Sequence, residues 1–175
     1  MKIFIDGSAG TTGLRIKDRL MKRSDVELIT LSEEQRKDTE SRKQALNSAQ
    51  VAFLCLPDAA AVEAVELVEN PDTVIIDTST AHRTSEGWAY GFPELSAEFE
   101  DKIKNSKRIA VPGCHAGGFI ALVYPLVEAG VLGNDALLSC YSLTGYSGGG
   151  KKMIAEYESE NKSPLLFAPR QYGLT

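Results

Sequence analysis

Scarcity narrows the field before any motif does. In 175 residues there are two histidines, one tryptophan and three cysteines. The cysteines, Cys55, Cys114 and Cys140, are odd in number and widely spaced, and the opening MKIFIDG lacks the apolar core of a signal peptide. A disulfide framework is not expected. The absence of any CxxC pair or Cys/His cluster removes the usual zinc sites, so no metal is expected. No apolar run approaches the roughly 20 residues that span a bilayer. A membrane is not an expected partner, and the cytoplasm is the expected location. Blocks of one charge are missing too: the net charge of -5 and pI near 5.1 arise from interspersed residues. With no Lys/Arg run to neutralise a phosphate backbone, nucleic acid is not an expected partner either.

What is present is regular. At 43% hydrophobic residues the chain can bury one sizeable core and begin a second. Short β-branched runs recur at KIFID (2–6), VELITL (26–31), VAFLCL (51–56), TVIID (73–77) and RIAV (108–111). Between them LRIKDRLMKR, ESRKQALNS and AAAVEAVELVE have helical composition, with Ala60, Ala64, Leu67 and Val68 on one face. Alternating strand and helix predicts an α/β fold, a Rossmann-like doubly wound parallel sheet covered on both faces. Residues 78–95 break the rhythm. They form a long polar and aromatic loop after the carboxyl end of a strand, where open α/β sheets bind ligands. PGCHAGGFIALVYPLVEAG then predicts a buried helix through Phe119, Leu122, Val123, Leu126 and Val127, kinked or restarted at Pro125. ALLSCYSLTGY predicts a strand, GGGKKMIAEYESEN a glycine turn and polar helix, and SPLLFAPRQYGLT an irregular tail. The expected division is a nucleotide-binding domain over 1–112 and the beginning of an α+β catalytic and dimerisation domain over 113–175.

The first strand meets GSAGTTG, with Gly7, Gly10 and Gly13 leading into a helix. Such spacing permits a tight turn, close approach of a pyrophosphate, and close helix–strand packing, while the helix start offers N–H groups and a positive dipole end. An acidic residue holding a free ribose 2′-hydroxyl is expected about 20 residues on. Glu33 and Glu34 keep NAD open there; Ser32 with Arg36 and Lys37 suits a 2′-phosphate and tips the expectation to NADP.

Cys114 stands at the predicted start of a helix, where the dipole favours thiolate, the form that attacks a carbonyl carbon. Local sequence alone leaves nucleophile and structural thiol both open. Cys55 and Cys140 lie in apolar strand runs and read as small buried hydrophobes. GYSGGG (145–150) reads as a second anion cradle or a plain flexible turn. Arg83 is a candidate for paired hydrogen bonds to an anionic substrate, or a solvated loop arginine. His82 and His115 read as exposed polar residues.

DGSAGTTG, LPD (56–58), DTSTAHR (77–83), YGFPEL (90–95), VPGCHAGG (111–118) and GYSGGGKK (145–152) occur in this order across nearly the whole chain. Together they resemble the N-acetyl-gamma-glutamyl-phosphate reductase family in its shorter bacterial form. The resemblance implies NADPH-dependent reduction of N-acetyl-L-glutamyl 5-phosphate to the 5-semialdehyde, an early step of arginine biosynthesis, through a thioester on Cys114. It implies that Gly7, Ser8, Ala9, Gly10, Thr11, Thr12 and Gly13 hold the cofactor phosphates. Ser32, Arg36 and Lys37 would meet the adenosine end, and Pro57, Gly148 and Gly149 would lie near the nicotinamide. Arg83 and Ser147 are the candidates for the substrate's anionic groups.

The same resemblance implies a larger second domain with a downstream histidine as acid/base and symmetric assembly of the full-length enzyme. The chain runs out at Gly173, Leu174 and Thr175, and neither His82 nor His115 matches that histidine. The expectation is the first half of such an enzyme, binding NADP but turning over poorly alone. Two alternatives stand beside it. Aspartate-semialdehyde dehydrogenase shares plan and chemistry, but its cysteine context is asparagine-rich where this chain has PGCHAGG. The other is a noncatalytic NADP-binding module with a structural thiol.

Overall fold

A computed structural model describes residues 1–168. Five strands form from the β-branched runs, Lys2–Asp6 (β1), Glu27–Ile29 (β2), Val51–Leu54 (β3), Val74–Asp77 (β4) and Arg108–Ala110 (β6), and a sixth, Ala89–Tyr90 (β5), forms in the loop between the last two. All pair in parallel, in the order β2-β1-β3-β4-β6-β5. Phe4 lies opposite Ile29 on one side and Ala52 on the other, and Ala52 lies opposite Ile75. Parallel neighbours need crossovers, supplied by Thr11–Leu20 (α1), Thr39–Ser48 (α2), Asp58–Glu66 (α3) and Ala97–Asn105 (α4). The strand order reverses between β1 and β3, which opens a crevice at their carboxyl ends.

The core is built from Phe4, Leu46, Leu54, Ala61, Ala64 and Ile75 among others. Ala61 and Ala64, both fully buried, let α3 approach the sheet closely. The buried face therefore runs through Ala61 rather than the expected Ala60. Asp38 caps α2 by accepting from the Ser41 N–H at 2.8 Å. The architecture is the expected Rossmann-like sheet, with two elements that no apolar run marked. β5 is only two residues long. In α4 the pairs Glu98–Lys102 (2.7 Å) and Glu100–Lys104 (2.6 Å) support a charged surface helix that begins at the Ser96 cap.

Beyond β6 the expectations hold less well. Cys114–Glu128 (α5) is one helix that runs past Pro125, and none of its residues is buried, contrary to the expected buried helix. Ala121, whose carbonyl loses its partner to Pro125, is exposed, so water can satisfy it. Phe119, Val123 and Val127 are half-buried, while Leu122 is 75% exposed. The strand expected over ALLSCYSLTGY does not form. Residues 136–145 have no ladder partner, and Leu137 is fully exposed; a strand without a neighbour has nothing to bond. Cys140 is accordingly exposed, not a buried hydrophobe. A short turn at Tyr146–Gly149 enters Gly150–Glu158 (α6), where Tyr157 stacks on Tyr146 at 4.9 Å and donates to the Leu166 carbonyl at 3.1 Å. The end of the expected irregular tail, 169–175, lies outside the described residues. Among those described, no helix is long and apolar enough to cross a membrane.

Candidate active site

The carboxyl ends of the strands carry the candidate residues. After β1 the chain turns at Gly7, whose φ of 82° favours glycine. A Cβ at Gly7 would lie 2.2 Å from the Cys55 carbonyl oxygen, and one at Gly13 would lie 2.5 Å from the Gly7 carbonyl oxygen. The backbone there is closed to side chains. Gly10 caps α1 without a side-chain acceptor, the first turn holds no acid, and the Leu14 N–H bonds the Gly10 carbonyl at 2.9 Å. The N–H groups of Thr11, Thr12 and Gly13 thus stand at the positive end of the helix, the arrangement that takes an anion. A groove of about 170 Å³ runs from Ser8 and Ala9 past Leu28–Leu31 to Arg36. Turn and groove fit the pyrophosphate and adenosine of a dinucleotide.

Asp6, immediately before the turn, is held by a residue that no motif marked. Arg42 of α2 donates to Asp6 Oδ2 from Nε (3.1 Å) and Nη2 (2.9 Å), and from Nη1 to Glu63 at 3.4 Å. The Arg42 and Asp6 side chains are 12% and 6% exposed. The pair anchors the strand end that leads into Gly7.

At the end of β2, Ser32 and Gln35 cap each other: the Ser32 N–H donates to Gln35 Oε1 (3.0 Å) and the Gln35 N–H to Ser32 Oγ (3.2 Å). The turn Gln35–Lys37 so formed aims Arg36 into the groove, while Lys37 is exposed and does not line it. Lys17 of α1 also lines the groove. LRIKDRL carries three cations, and only the tertiary fold shows which one faces inward.

Cys55 follows β3. Burial pushes its thiol up to about 11, and so it stays protonated near neutrality. Pro57 is the exposed cap residue of α3. The neighbouring Asp58 accepts from the Thr80 hydroxyl and from the Thr80 N–H at 2.9 Å, and these bonds hold its carboxyl below the ordinary range. The LPD segment and the loop after β4 are thereby stitched together.

The loop itself is ordered by Asp77, which is fully buried. It accepts from the Ser79 N–H (3.0 Å) and hydroxyl (2.6 Å) and meets His82 Nδ1 at 2.7 Å. His82 stacks on Trp88, with ring centroids 4.1 Å apart. It is 8% exposed, which corrects the expectation of an exposed residue: a buried carboxylate and an indole face cover it. His115 is half-buried, with Nδ1 2.5 Å from Ser142 Oγ, so the same expectation fails there.

Arg83, next in the loop, is not a solvated arginine. Its Nε donates to the Val111 carbonyl at 3.0 Å and Nη2 to the Thr78 carbonyl at 3.4 Å. The guanidinium packs on Gly113, where a Cβ would come within 2.7 Å of Nη1. Gly113 is the cap of α5, and Cys114, the first residue of that helix, is exposed. The loop arginine therefore packs on the residue that precedes the helix-start thiol. An open cleft of about 510 Å³ lies beside it, lined by Arg83, Tyr90, Phe99, Phe119 and Tyr124 among others. Ser147, Gly148 and Gly149 lie in a turn that packs on α6, with Gly149 against Met153. Among the described residues no hydrogen bond or ion pair joins them to the glycine turn or to Cys114.

Comparison with known proteins gives the chain its relatives. A protein from Chelativorans sp. described as N-acetyl-gamma-glutamyl-phosphate reductase is 52% identical over 99% of the chain and 56% of its own length. A Pseudomonas putida protein described as N-acetyl-gamma-glutamyl-phosphate reductase 2 is 49% identical over 98% of the chain and 55% of its own length. The chain spans about half the length of the curated relatives it matches. Aspartate semialdehyde dehydrogenase from Francisella tularensis superposes with a TM-score of 0.64 at 17% identity, covering 89% of this chain and 48% of that one. The Candida albicans enzyme, solved with NADP, gives 0.55 at 18% identity over 73% and 47%. These structures share the fold. The family model for the semialdehyde dehydrogenase NAD binding domain matches residues 2–105. With more than half its length so matched, the chain belongs to the semialdehyde dehydrogenase family through its NAD binding domain.

Proposed function

We propose that this chain carries the NADP-binding and acylation half of a reductase that converts N-acetyl-L-glutamyl 5-phosphate to the 5-semialdehyde in arginine biosynthesis, in the cytoplasm and as a homo-oligomer at full length. The observation that carries the reading is the corner at α5: an exposed Cys114 at a helix start, with the Arg83 guanidinium packed on the residue before it. The relatives' descriptions supply the substrate.

The chemistry assigned to these residues is acyl transfer. Cys114 Sγ, as thiolate, forms a bond to the acyl carbon, and the C–O bond to phosphate breaks, with the electron pair leaving on phosphate. The first intrahelical bond of α5 is the Gly117 N–H to the Gly113 carbonyl, so the N–H groups of the first turn remain for the oxyanion of the tetrahedral intermediate. Arg83 positions an anionic group of the substrate, and Ser147 is assigned to the same task. NADPH, when bound, supplies the hydride that reduces the thioester. Gly7–Gly13 hold its pyrophosphate, Ser32, Arg36 and Lys37 its adenosine end, and Pro57, Gly148 and Gly149 flank the nicotinamide. The preference for NADP over NAD rests on the cationic groove at the end of β2. Residues 1–112 form the nucleotide domain and 113–175 the beginning of the catalytic one.

The test needs no turnover. Incubated with the acyl phosphate and no cofactor, the chain should release about one equivalent of phosphate and gain the mass of one N-acetylglutamyl group on the Cys114 peptide. Cys114→Ala should do neither. Equal phosphate release by both proteins, or an adduct on Cys140, would reject Cys114 as nucleophile.

A further inference from the structure

Two cations face the groove at the end of β2, and no carboxylate lines it. One is Arg36, whose nearest anion, Glu33, stands 4.0 Å away and is itself 91% exposed. The other is Lys17, half-buried on α1 while its neighbours Arg15, Asp18 and Arg19 are exposed. Lys17 lies one turn after Leu14, and both side chains line the groove together with Ser8 and Ala9 of the glycine turn. No described hydrogen bond or ion pair engages its ammonium. Ser32 Oγ accepts from the Gln35 N–H, and Lys37 is exposed and does not line the groove. A site for the unphosphorylated cofactor would present a carboxylate to the ribose 2′-hydroxyl. Here the groove presents two positive side chains instead, one from α1 and one from the turn after β2.

We propose that Lys17 is a specificity-determining residue whose ammonium, together with the Arg36 guanidinium, holds the 2′-phosphate of NADP. The inference rests on the NADP reading above and adds to it a residue on the helix, where the sequence motif pointed only to the loop after β2. An ammonium acts as a point charge on a phosphate, without the fork of an arginine, so a second cation from another element completes the neutralisation.

The test is binding of NADPH and NADH to the 175-residue chain, followed by nicotinamide fluorescence at two salt concentrations. Wild type should prefer NADPH, and that preference should shrink with salt. Lys17→Gln should weaken NADPH by about tenfold, the scale of one charge-assisted contact, and leave NADH within about twofold. Lys17→Arg should restore most of the NADPH affinity. If Lys17→Gln leaves the NADPH/NADH ratio unchanged, whether by weakening both or neither, Lys17 has no such role and the NADP reading survives. If wild type binds the two alike, or binds neither, the NADP reading fails and the role of Lys17 fails with it. Competition by 2′,5′-ADP against ADP gives the same comparison without the nicotinamide and covers the case in which Lys17→Gln folds poorly, since wild type and Lys17→Arg then carry it: loss of the 2′,5′-ADP advantage in wild type overturns the proposal.

Discussion

Three thiols in three surroundings show how position divides one residue type. Cys114 and Cys140 are exposed, and Cys55 is half-buried behind the glycine turn. Burial is the main cause of the raised Cys55 pKa, with Asp77 and Asp6 adding in the same direction against a hydrogen bond from Thr78. The folded state therefore holds this proton more tightly than the unfolded chain. Its contribution to stability is complete below the ordinary thiol value of 9.0 and is lost as pH rises toward about 11. Thermal melts across that window should show an alkaline fall in Tm that Cys55→Ala reduces, and a thiol reagent at pH 8 should reach Cys55 only after unfolding. Loss of Cys55 that leaves the alkaline limb unaltered would reject this account. Gly7 makes the complementary point. Its positive φ and the carbonyl 2.2 Å from any Cβ make glycine obligatory, whereas at Gly10 the nearest atom is 3.3 Å away.

Elements in this fold are joined by polar ties as much as by apolar faces. Arg42 links α2 to the end of β1 and to α3 through Asp6 and Glu63. Removing one partner of a buried pair leaves the other charge uncompensated, at a cost of about 3 kcal/mol or more. Arg42→Ala should lower the free energy of unfolding in urea by that amount and weaken dinucleotide binding, because Asp6 leads directly into Gly7. Asp6→Asn combined with Arg42→Met should be milder than the sum of the single changes; full additivity would show that the pair is not coupled. The pairing was hidden from the sequence, where Asp6 and Arg42 lie 36 residues apart in unrelated patterns. Within α4 the reverse holds. Its Glu/Lys pairs and Ser96 cap are local signals, but the helix carries few apolar residues and so no apolar stripe marks it.

At the scale of the whole molecule, every strand and nearly all of the buried core among the described residues precede residue 112. A fragment of residues 1–112 should therefore unfold cooperatively and bind NADPH within about threefold of the full chain, since the groove and glycine turn lie inside it. A non-cooperative urea transition, or loss of binding, would show that α5 is needed to complete the domain. Its Tyr124 packs edge-on against Phe99 of α4 at 5.9 Å, so the fragment will expose that face. The sequence by itself determined the parallel α/β sheet, the glycine turn and the helix start at Cys114, because each depends on spacing within a few residues: β-branched runs, glycines three apart, and a cap before an apolar stripe. Only the tertiary structure decided that Arg83 packs on Gly113, that Lys17 rather than Lys37 lines the groove, that His82 is buried on Asp77, and that residues 136–145 make no strand. Those outcomes depend on which distant elements become neighbours, and a strand, a buried charge or a cation at a groove is defined by its partner across space, which no local pattern encodes.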